Sequence, residues 1–178
     1  VEVLACEDTR KTLQLLSFYK KEFASILKEN IIFPRLISYF DHNAEERSLQ
    51  LVSLMEEGVS VGLVSNAGTP TISDPGYRLV KKCWENGIKV ESLPGPCAAV
   101  VALSISGFSA DKFLFLGFLP RKKGKQEKIW EEIKKANLNE TVVFYESSFR
   151  ILKSLQMIYE VFGDIEVVIT RELTKIFE

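Results

Sequence analysis

The first hundred residues alternate strictly between short apolar runs and helical patterns. The runs are typical of buried strands, and the segments between them carry apolar residues at helical spacing. The strand candidates are Val1 to Cys6, Leu36 to Phe40, Val59 to Ser65 and Lys89 to Leu93. The helix candidates are Thr9 to Tyr19, Ala44 to Glu57 and Tyr77 to Asn86. This alternation predicts a mostly parallel sheet flanked by helices, with right-handed connections.

Polar, glycine and proline residues follow each strand candidate. Because parallel strands end at one edge of a sheet, these residues are expected to line one crevice, where ligands bind in α/β folds. The four segments are Glu7 to Arg10, Asp41 to Asn43, Ser65 to Gly76 and Pro94 to Ala99. The third contains two glycines and two prolines between a buried strand and a helix. Glycine lets backbone approach a ligand closely, so this loop is the first candidate for a small-molecule site.

The aromatic content rises after the small-residue helix Ala98 to Ile105, and we place a domain boundary near Ser109. The second part begins with the apolar run Lys112 to Pro120. It continues with a charged helix, Lys125 to Ala136, a strand, Thr141 to Tyr145, a helix, Arg150 to Phe162, and a strand, Glu166 to Thr170. The first residues are typical of a strand interior and the last lack a terminating signal, so we expect both ends to be truncated.

Composition excludes several classes of function. The chain has 178 residues and a net charge of −1, so any nucleic-acid binding must depend on a local patch. Three separated cysteines and one histidine argue against a disulfide scaffold, a zinc site or a serine triad, and favour a cytosolic protein. No apolar run has the length of a membrane span, and neither nucleotide-binding glycine motifs nor a G-x-S-x-G elbow occur.

Several polar residues at the strand ends have a structural reading beside a functional one. Asp8 would cap the helix that follows it, whereas capping does not explain Glu7 or Arg10. Asn43 is expected to cap the next helix with Glu46 in a box-like arrangement. His42 is either an exposed histidine or a proton acceptor, since its pKa lies near neutrality when unperturbed.

The basic run Arg121 to Lys128 follows an apolar strand and Pro120 and is expected to form a loop. Such a run is either a solvated face or a set of phosphate contacts, and it lacks interleaved aromatics. Cys97 is expected to be a small packing residue, because no base is close to it in sequence. Glu146 and Lys175 follow strand candidates and are harder to explain structurally.

Together these motifs resemble the bacterial ribosomal RNA (cytidine-2'-O)-methyltransferases of the tetrapyrrole methylase superfamily. The resemblance covers essentially the whole chain. Its motifs are Glu7-Asp8-Thr9-Arg10, Asp41-His42-Asn43, Ala67-Gly68-Thr69-Pro70, Asp74-Pro75-Gly76, Leu93-Pro94-Gly95-Pro96-Cys97-Ala98-Ala99, Gly117-Phe118-Leu119-Pro120, Phe144-Tyr145-Glu146-Ser147 and Arg171-Glu172-Leu173-Thr174-Lys175.

The resemblance implies two α/β domains, residues 1–108 with a Rossmann-like fold lacking its first strand and residues 109–178, with a cofactor cleft between them. It implies S-adenosyl-L-methionine as methyl donor and a cytidine ribose hydroxyl of 16S ribosomal RNA, in the decoding centre, as acceptor. The implied cofactor-binding residues are Gly68, Thr69, Pro70, Ile72, Pro94, Gly95, Pro96, Cys97, Ala98, Tyr145 and Thr174. A cytoplasmic homodimer acting on free RNA or the assembled small subunit is expected, with no metal.

The sequence departs from the family in two ways. A Pro-Ile-Gly-Asn type opening loop is absent, and Asn66 replaces an aspartate before Ala67, which removes a negative charge but keeps hydrogen-bonding capacity. The catalytic candidates are Glu7, Asp8 and Glu146, with His42 as a further possible base. The candidates for RNA contact are Arg10, His42, Arg121, Lys122, Lys123, Lys125 and Lys175. The open alternatives are a precorrin-type tetrapyrrole methyltransferase and a non-catalytic RNA-binding assembly factor.

Overall fold

The computed structural model describes residues 1–23 and 32–178, and contacts between residues divide the chain into two compact units. The units are Val1–Pro96 and Cys97–Glu178. The sequence placed the boundary near Ser109. The helix before that point, α4 (Ala98–Ile105), is grouped with the second unit because its Ala99 N–H donates to the Tyr145 hydroxyl, 3.1 Å away.

Among the described residues of the first unit, three parallel strands form one sheet. Strands β1 (Val3–Cys6), β2 (Arg35–Ser38) and β3 (Val61–Val64) lie in the order β2-β1-β3. Ala5 pairs with Ile37 on one side and with Leu63 on the other. All four residues of the central strand β1 are buried, which explains why it reads as a continuous apolar run.

Helices connect and cover these strands: α1 (Thr9–Glu22), α2 (Ala44–Glu56) and α3 (Tyr77–Glu85). The core combines inward residues of the sheet with one face of α2 and α3, whereas α1 contributes no buried residue. Its buried members are Val3, Ala5, Ile37, Tyr39, Ala44, Leu51, Val52, Leu79 and Cys83. The predicted α/β fold with a parallel sheet flanked by helices is confirmed.

The second unit contains a parallel pair of strands, β4 (Phe113–Phe118) and β5 (Thr141–Tyr145), with an irregularity between Phe115 and Phe118. Helices α5 (Lys123–Ala136) and α6 (Ile151–Phe162) complete it. Its core is a cluster of Leu119, Trp130, Met157 and Ile158. A parallel pair of strands joined through a helix is a crossover connection.

Two strand predictions are wrong. Lys89 to Leu93 carries no strand in the structure, and neither does Glu166 to Thr170. Val90 packs against the first core from a segment that joins no ladder, and Leu93 is exposed. The apolar side chains of Glu166 to Thr170 are about half exposed. Apolar alternation therefore predicted extended chain in both places, but a strand also requires a neighbour whose backbone pairs with it.

The loop predicted for Arg121 to Lys128 is also wrong in part, because α5 already begins at Lys123. Good helix formers dominate from Lys125 onward, and Gln126 is buried and donates its side-chain amide to the Pro120 carbonyl. Only Arg121 and Lys122 precede the helix.

Candidate active site

The ends of β1, β2 and β3 lie at one edge of the first sheet, as their parallel pairing requires. Glu7 and Asp8 follow β1, Asp41 and His42 come shortly after β2, and the segment Ser65 to Gly76 follows β3. The sequence expected four strand ends here, and three are confirmed. This edge of the first unit is called the polar edge below.

Glu7 and Asp8 have different environments at the polar edge. The Glu7 Oε2 atom accepts a hydrogen bond from the backbone N–H of Asn66 at 3.3 Å, so it touches the loop after β3. Asp8 is the N-cap of α1, and its Oδ1 accepts from the N–H groups of Arg10 at 2.9 Å and Lys11 at 3.4 Å. The capping prediction for Asp8 is confirmed. These contacts, above all the Arg10 N–H, lower the pKa of Asp8.

The segment Ser65 to Gly76 has an unusual backbone. Thr71 and Ser73 have φ of 74° and 59°, a left-handed conformation that is uncommon outside glycine. Gly76 has φ of 147°, and a Cβ there would lie 2.7 Å from Thr71 Cγ2 and 2.8 Å from Leu63 Cδ2. Such conformations persist only where the surroundings impose them and are concentrated at functional sites.

Thr69 ties this loop to the segment before α4. Its Oγ1 donates to the Pro96 carbonyl at 3.0 Å, and a Cβ on Gly95 would lie 3.4 Å from the same Thr69 oxygen. A Cβ on Gly68 would lie 3.5 Å from the Pro96 carbonyl oxygen. The structure thus brings together Gly68, Thr69, Gly95 and Pro96, four of the residues that the resemblance implied along the cofactor.

Asp74 is a member of the polar edge that sequence reasoning missed. Burial raises the pKa of its carboxyl, the negative charges of Glu7 and Asp41 raise it further, and a hydrogen bond with Ser65 partly offsets them. In the described part of the chain, none of these three carboxylates forms a salt bridge. The Asp-Pro-Gly sequence is typical of a turn, so the sequence alone did not identify Asp74 as a candidate site residue.

Asn43 does not cap α2 with its side chain as expected. Its Oδ1 accepts from the Phe40 N–H at 2.8 Å and its Nδ2 donates to the Ser38 carbonyl at 3.1 Å. These bonds shape the turn after β2 instead, because an asparagine can bond backward to its own loop. His42 is exposed and its ring lies edge-on to Phe40, with centroids 6.4 Å apart.

In the second unit, Tyr145 ends β5 and touches the start of α4. Its hydroxyl accepts from the Ala99 N–H, one of the amides that lack a partner within the helix. Its ring lies edge-on to Phe115 and tilted against Phe118, with centroids 5.1 Å and 5.2 Å away. Tyr145 therefore orients the segment that carries Cys97 and Ala98.

Glu146 is held by three donors and its side chain is 2% exposed. Its Oε1 accepts from the Ser147 N–H at 2.7 Å and pairs with Arg150 Nη2 at 2.5 Å. Its Oε2 accepts from the buried Ser154 hydroxyl at 2.8 Å. Arg150 Nη1 also donates to the Leu119 carbonyl at 3.3 Å, so the network joins the ends of β4 and β5 to α6.

The basic candidates of the second unit lie at two places. Arg121, Lys122, Lys123 and Lys125 are exposed around the first turn of α5, which contains no acidic residue. Lys123 pairs with Glu127 at 3.4 Å. Lys175 pairs with Glu172 at 3.3 Å, and the neighbouring Thr174 has φ of 64°.

Two searches of the described residues were negative. No helix there combines the length and apolarity needed to cross a bilayer. No group of three or more His, Cys, Asp or Glu side chains within residues 1–23 and 32–178 is arranged to hold a metal ion.

Known proteins match the chain throughout. The family described as Tetrapyrrole (Corrin/Porphyrin) Methylases matches residues 1–178. Several relatives are named "Ribosomal RNA small subunit methyltransferase I". The relative from Thermotoga maritima is 42% identical, and the match covers 100% of this chain and 74% of the relative. The relatives from Vibrio cholerae and Escherichia coli O157:H7 are 45% and 44% identical, and each match covers 100% of this chain and 58% of the relative. The chain thus spans less than two thirds of the latter two relatives. These matches confirm the resemblance, and the chain belongs to the Tetrapyrrole (Corrin/Porphyrin) Methylases.

Proposed function

We propose that this protein is an S-adenosylmethionine-dependent methyltransferase that methylates the 2'-hydroxyl of a cytidine in the decoding centre of 16S ribosomal RNA. The names of its relatives support the small-subunit RNA as substrate, and the family supports the methyl donor. The cytidine, its position and the ribose oxygen come from the motif resemblance. We further propose a cytoplasmic homodimer.

One observation of the structure carries this proposal. The Glu7 carboxylate lies at the polar edge in contact with Asn66, three residues before the loop contact of Thr69 with Pro96. A proton acceptor and a glycine-rich ligand loop thus lie side by side in one unit. Transfer of a methyl group to a hydroxyl requires both a bound donor and a means of removing the hydroxyl proton.

The residues present fit the cofactor. Backbone is exposed at Gly68 and from Pro94 to Pro96, where it can bond to a nucleoside without side-chain obstruction. The donor carries a positive sulfonium, and Glu7, Asp41 and Asp74 supply negative charge to the same edge. We propose that Cys97, Ala98, Tyr145, Thr174, Pro70 and Ile72 complete the site.

When bound, S-adenosylmethionine supplies a methyl group with a good leaving group, so the protein must chiefly align the ribose hydroxyl with it. Glu7 is the better proton acceptor of the two neighbouring carboxylates. Asp8 uses its Oδ1 to cap α1, and the donated hydrogen bonds that lower its pKa weaken it as a base. We propose that Arg10, whose side chain is 88% exposed and whose Nε lies 3.5 Å from Asp8 Oδ1, contacts RNA phosphate.

The remaining candidates are proposed to hold the RNA. Arg121, Lys122, Lys123 and Lys125 combine positive charge with the exposed start of α5, where the helix dipole also favours anions. Lys175 and His42 are proposed as further contacts. Together these residues form the local positive patch that RNA binding requires in a chain whose net charge is −1.

The proposal is tested by incubating the protein with purified small ribosomal subunits and S-adenosylmethionine labelled in its methyl group. Label in a 2'-O-methylcytidine is the expected result, with the position given by mass spectrometry of RNA fragments. Parallel reactions with free 16S RNA and with uroporphyrinogen identify the substrate. Label in the tetrapyrrole alone would overturn the proposal, and so would cofactor binding undetectable by calorimetry, which indicates a non-catalytic factor.

Thr69→Val is expected to weaken cofactor binding, because it removes the bond to Pro96 while preserving side-chain shape. A neutral hydrogen bond contributes about 0.5–1.5 kcal/mol, so the dissociation constant should rise roughly twofold to tenfold. Calorimetric titration with S-adenosylmethionine measures the effect. Thr69→Ser retains the hydroxyl and should bind as the unmodified protein does. Equal affinity of the valine and serine variants would show that this bond does not shape the site.

A further inference from the structure

Helix α1 is exposed over most of its surface. None of its residues is buried, and only Thr12 and Leu16 have half-buried side chains after its first residue. Phe18 is 55% exposed, Tyr19 48% and Phe23 40%. A surface helix usually buries one apolar stripe against its core, so this amount of exposed aromatic surface requires an explanation.

The side chains opposite the packing side form a defined stripe. Successive residues of an α-helix turn by about 100°. On that spacing, Arg10, Gln14, Phe18 and Lys21 project within a narrow sector with Lys11 at its margin, on the side away from Thr12 and Leu16. All five are exposed. These five residues are called the α1 stripe.

The chemistry of the α1 stripe is cationic and aromatic. Of its five residues, Arg10, Lys11 and Lys21 are basic, Phe18 is aromatic and none is acidic. In the described part of the chain, neither Lys11 nor Lys21 forms a salt bridge, whereas Arg10 Nε lies 3.5 Å from Asp8 Oδ1.

We propose that the α1 stripe binds single-stranded RNA, with Lys11 and Lys21 contacting phosphates and Phe18 stacking on a base. An exposed aromatic side chain among basic residues, as Phe18 is here, is a common means of holding a single strand. The stripe starts directly after Glu7 and Asp8, and it extends from the polar edge for about 16 Å. This inference rests on the proposed function for its substrate and adds a binding surface to it.

Charge favours RNA over a second copy of the chain. A two-fold symmetric contact would place the same patch on both partners, so the basic side chains Arg10, Lys11 and Lys21 of one copy would lie against the same basic patch of the other. Like charges brought together oppose such an interface, whereas phosphates neutralise them. The stripe is also continuous with the candidate active site, where an RNA strand must enter.

Fluorescence anisotropy with a labelled twelve-nucleotide, cytidine-containing single-stranded RNA tests the surface without cofactor or catalysis. Lys11→Ala/Lys21→Ala should lower the slope of log affinity against log salt by about 1.4, since each phosphate contact on a single strand contributes about 0.7. Affinity at 0.1 M salt should fall about tenfold or more. Phe18→Ala should lower affinity at least about fivefold and leave the salt slope unchanged.

Lys81→Ala/Lys89→Ala is the matched control, because it removes the same charge from exposed lysines elsewhere in the first unit. A salt slope that falls equally in both double variants would overturn the proposal. Sedimentation of Phe18→Ala provides a second check. Conversion of a dimer to monomer by this substitution, with RNA affinity unchanged, would assign the face to a second copy instead. If the unmodified protein binds RNA through the α1 stripe but does not methylate it, the proposed function is contradicted and the proposed binding surface is not.

Discussion

Glu7→Gln is expected to reduce methyl transfer about 10²- to 10⁴-fold, the usual contribution of a positioned general base. The substitution removes the proton acceptor but keeps an oxygen in place. That oxygen can still accept the hydrogen bond from the Asn66 N–H, so the loop should keep its geometry. Single-turnover methylation at saturating RNA and cofactor measures the effect. Calorimetry should show cofactor affinity close to that of the unmodified protein.

Asp8→Asn is the paired variant that separates the two carboxylates. Asparagine caps a helix about as well as aspartate does, so α1 should remain intact. We expect a far smaller loss of rate than in Glu7→Gln, because the Asp8 carboxylate is engaged by backbone N–H groups. A normal rate in Glu7→Gln would remove Glu7 from the mechanism.

The sequence predicted the first unit well because its information is local. Continuous apolar runs identified β1, β2 and β3, and helices α1, α2 and α3 begin at the predicted residues. The two wrong strands depended on partners that apolar alternation does not encode. The start of α5 was misplaced because the run of basic residues was taken to indicate a loop, although lysine is also a good helix former.

The sequence predicted where the candidate site lies better than it predicted the role of each residue in it. Strand ends and glycine-rich loops identified the polar edge, and motif resemblance identified Thr69 and Pro96. Their mutual hydrogen bond, the burial of Asp74 and the three donors on Glu146 result from tertiary contacts. Glu146 and Asp8 look alike in sequence, since both are acidic residues after a strand. Only their surroundings separate a buried ion pair from a helix cap.

Glu146→Ala is expected to destabilise the second unit by about 3–5 kcal/mol, the cost of removing one partner of a buried ion pair. The side chain is 2% exposed, and its loss leaves Arg150, 28% exposed, without its carboxylate. The buried Ser154 hydroxyl also loses its acceptor. The sequence proposed Glu146 as a catalytic residue, but its engaged oxygens support a structural role. Glu146→Gln should therefore lower the free energy of unfolding of the second unit and have little effect on the methylation rate of the folded protein.

Urea unfolding resolves this effect within one unit, because the two tryptophans lie apart in sequence. Trp130 is 2% exposed in the second core, whereas Trp84, in the first unit, is 68% exposed. In a Trp84→Phe background, fluorescence therefore reports the second unit. Glu45→Ala, which removes exposed pairs with Arg78 and Lys82, should leave the transition nearly unchanged. A midpoint for Glu146→Ala equal to that control would contradict the structural role. A normal midpoint with a lost rate in Glu146→Gln would restore Glu146 as a proton acceptor.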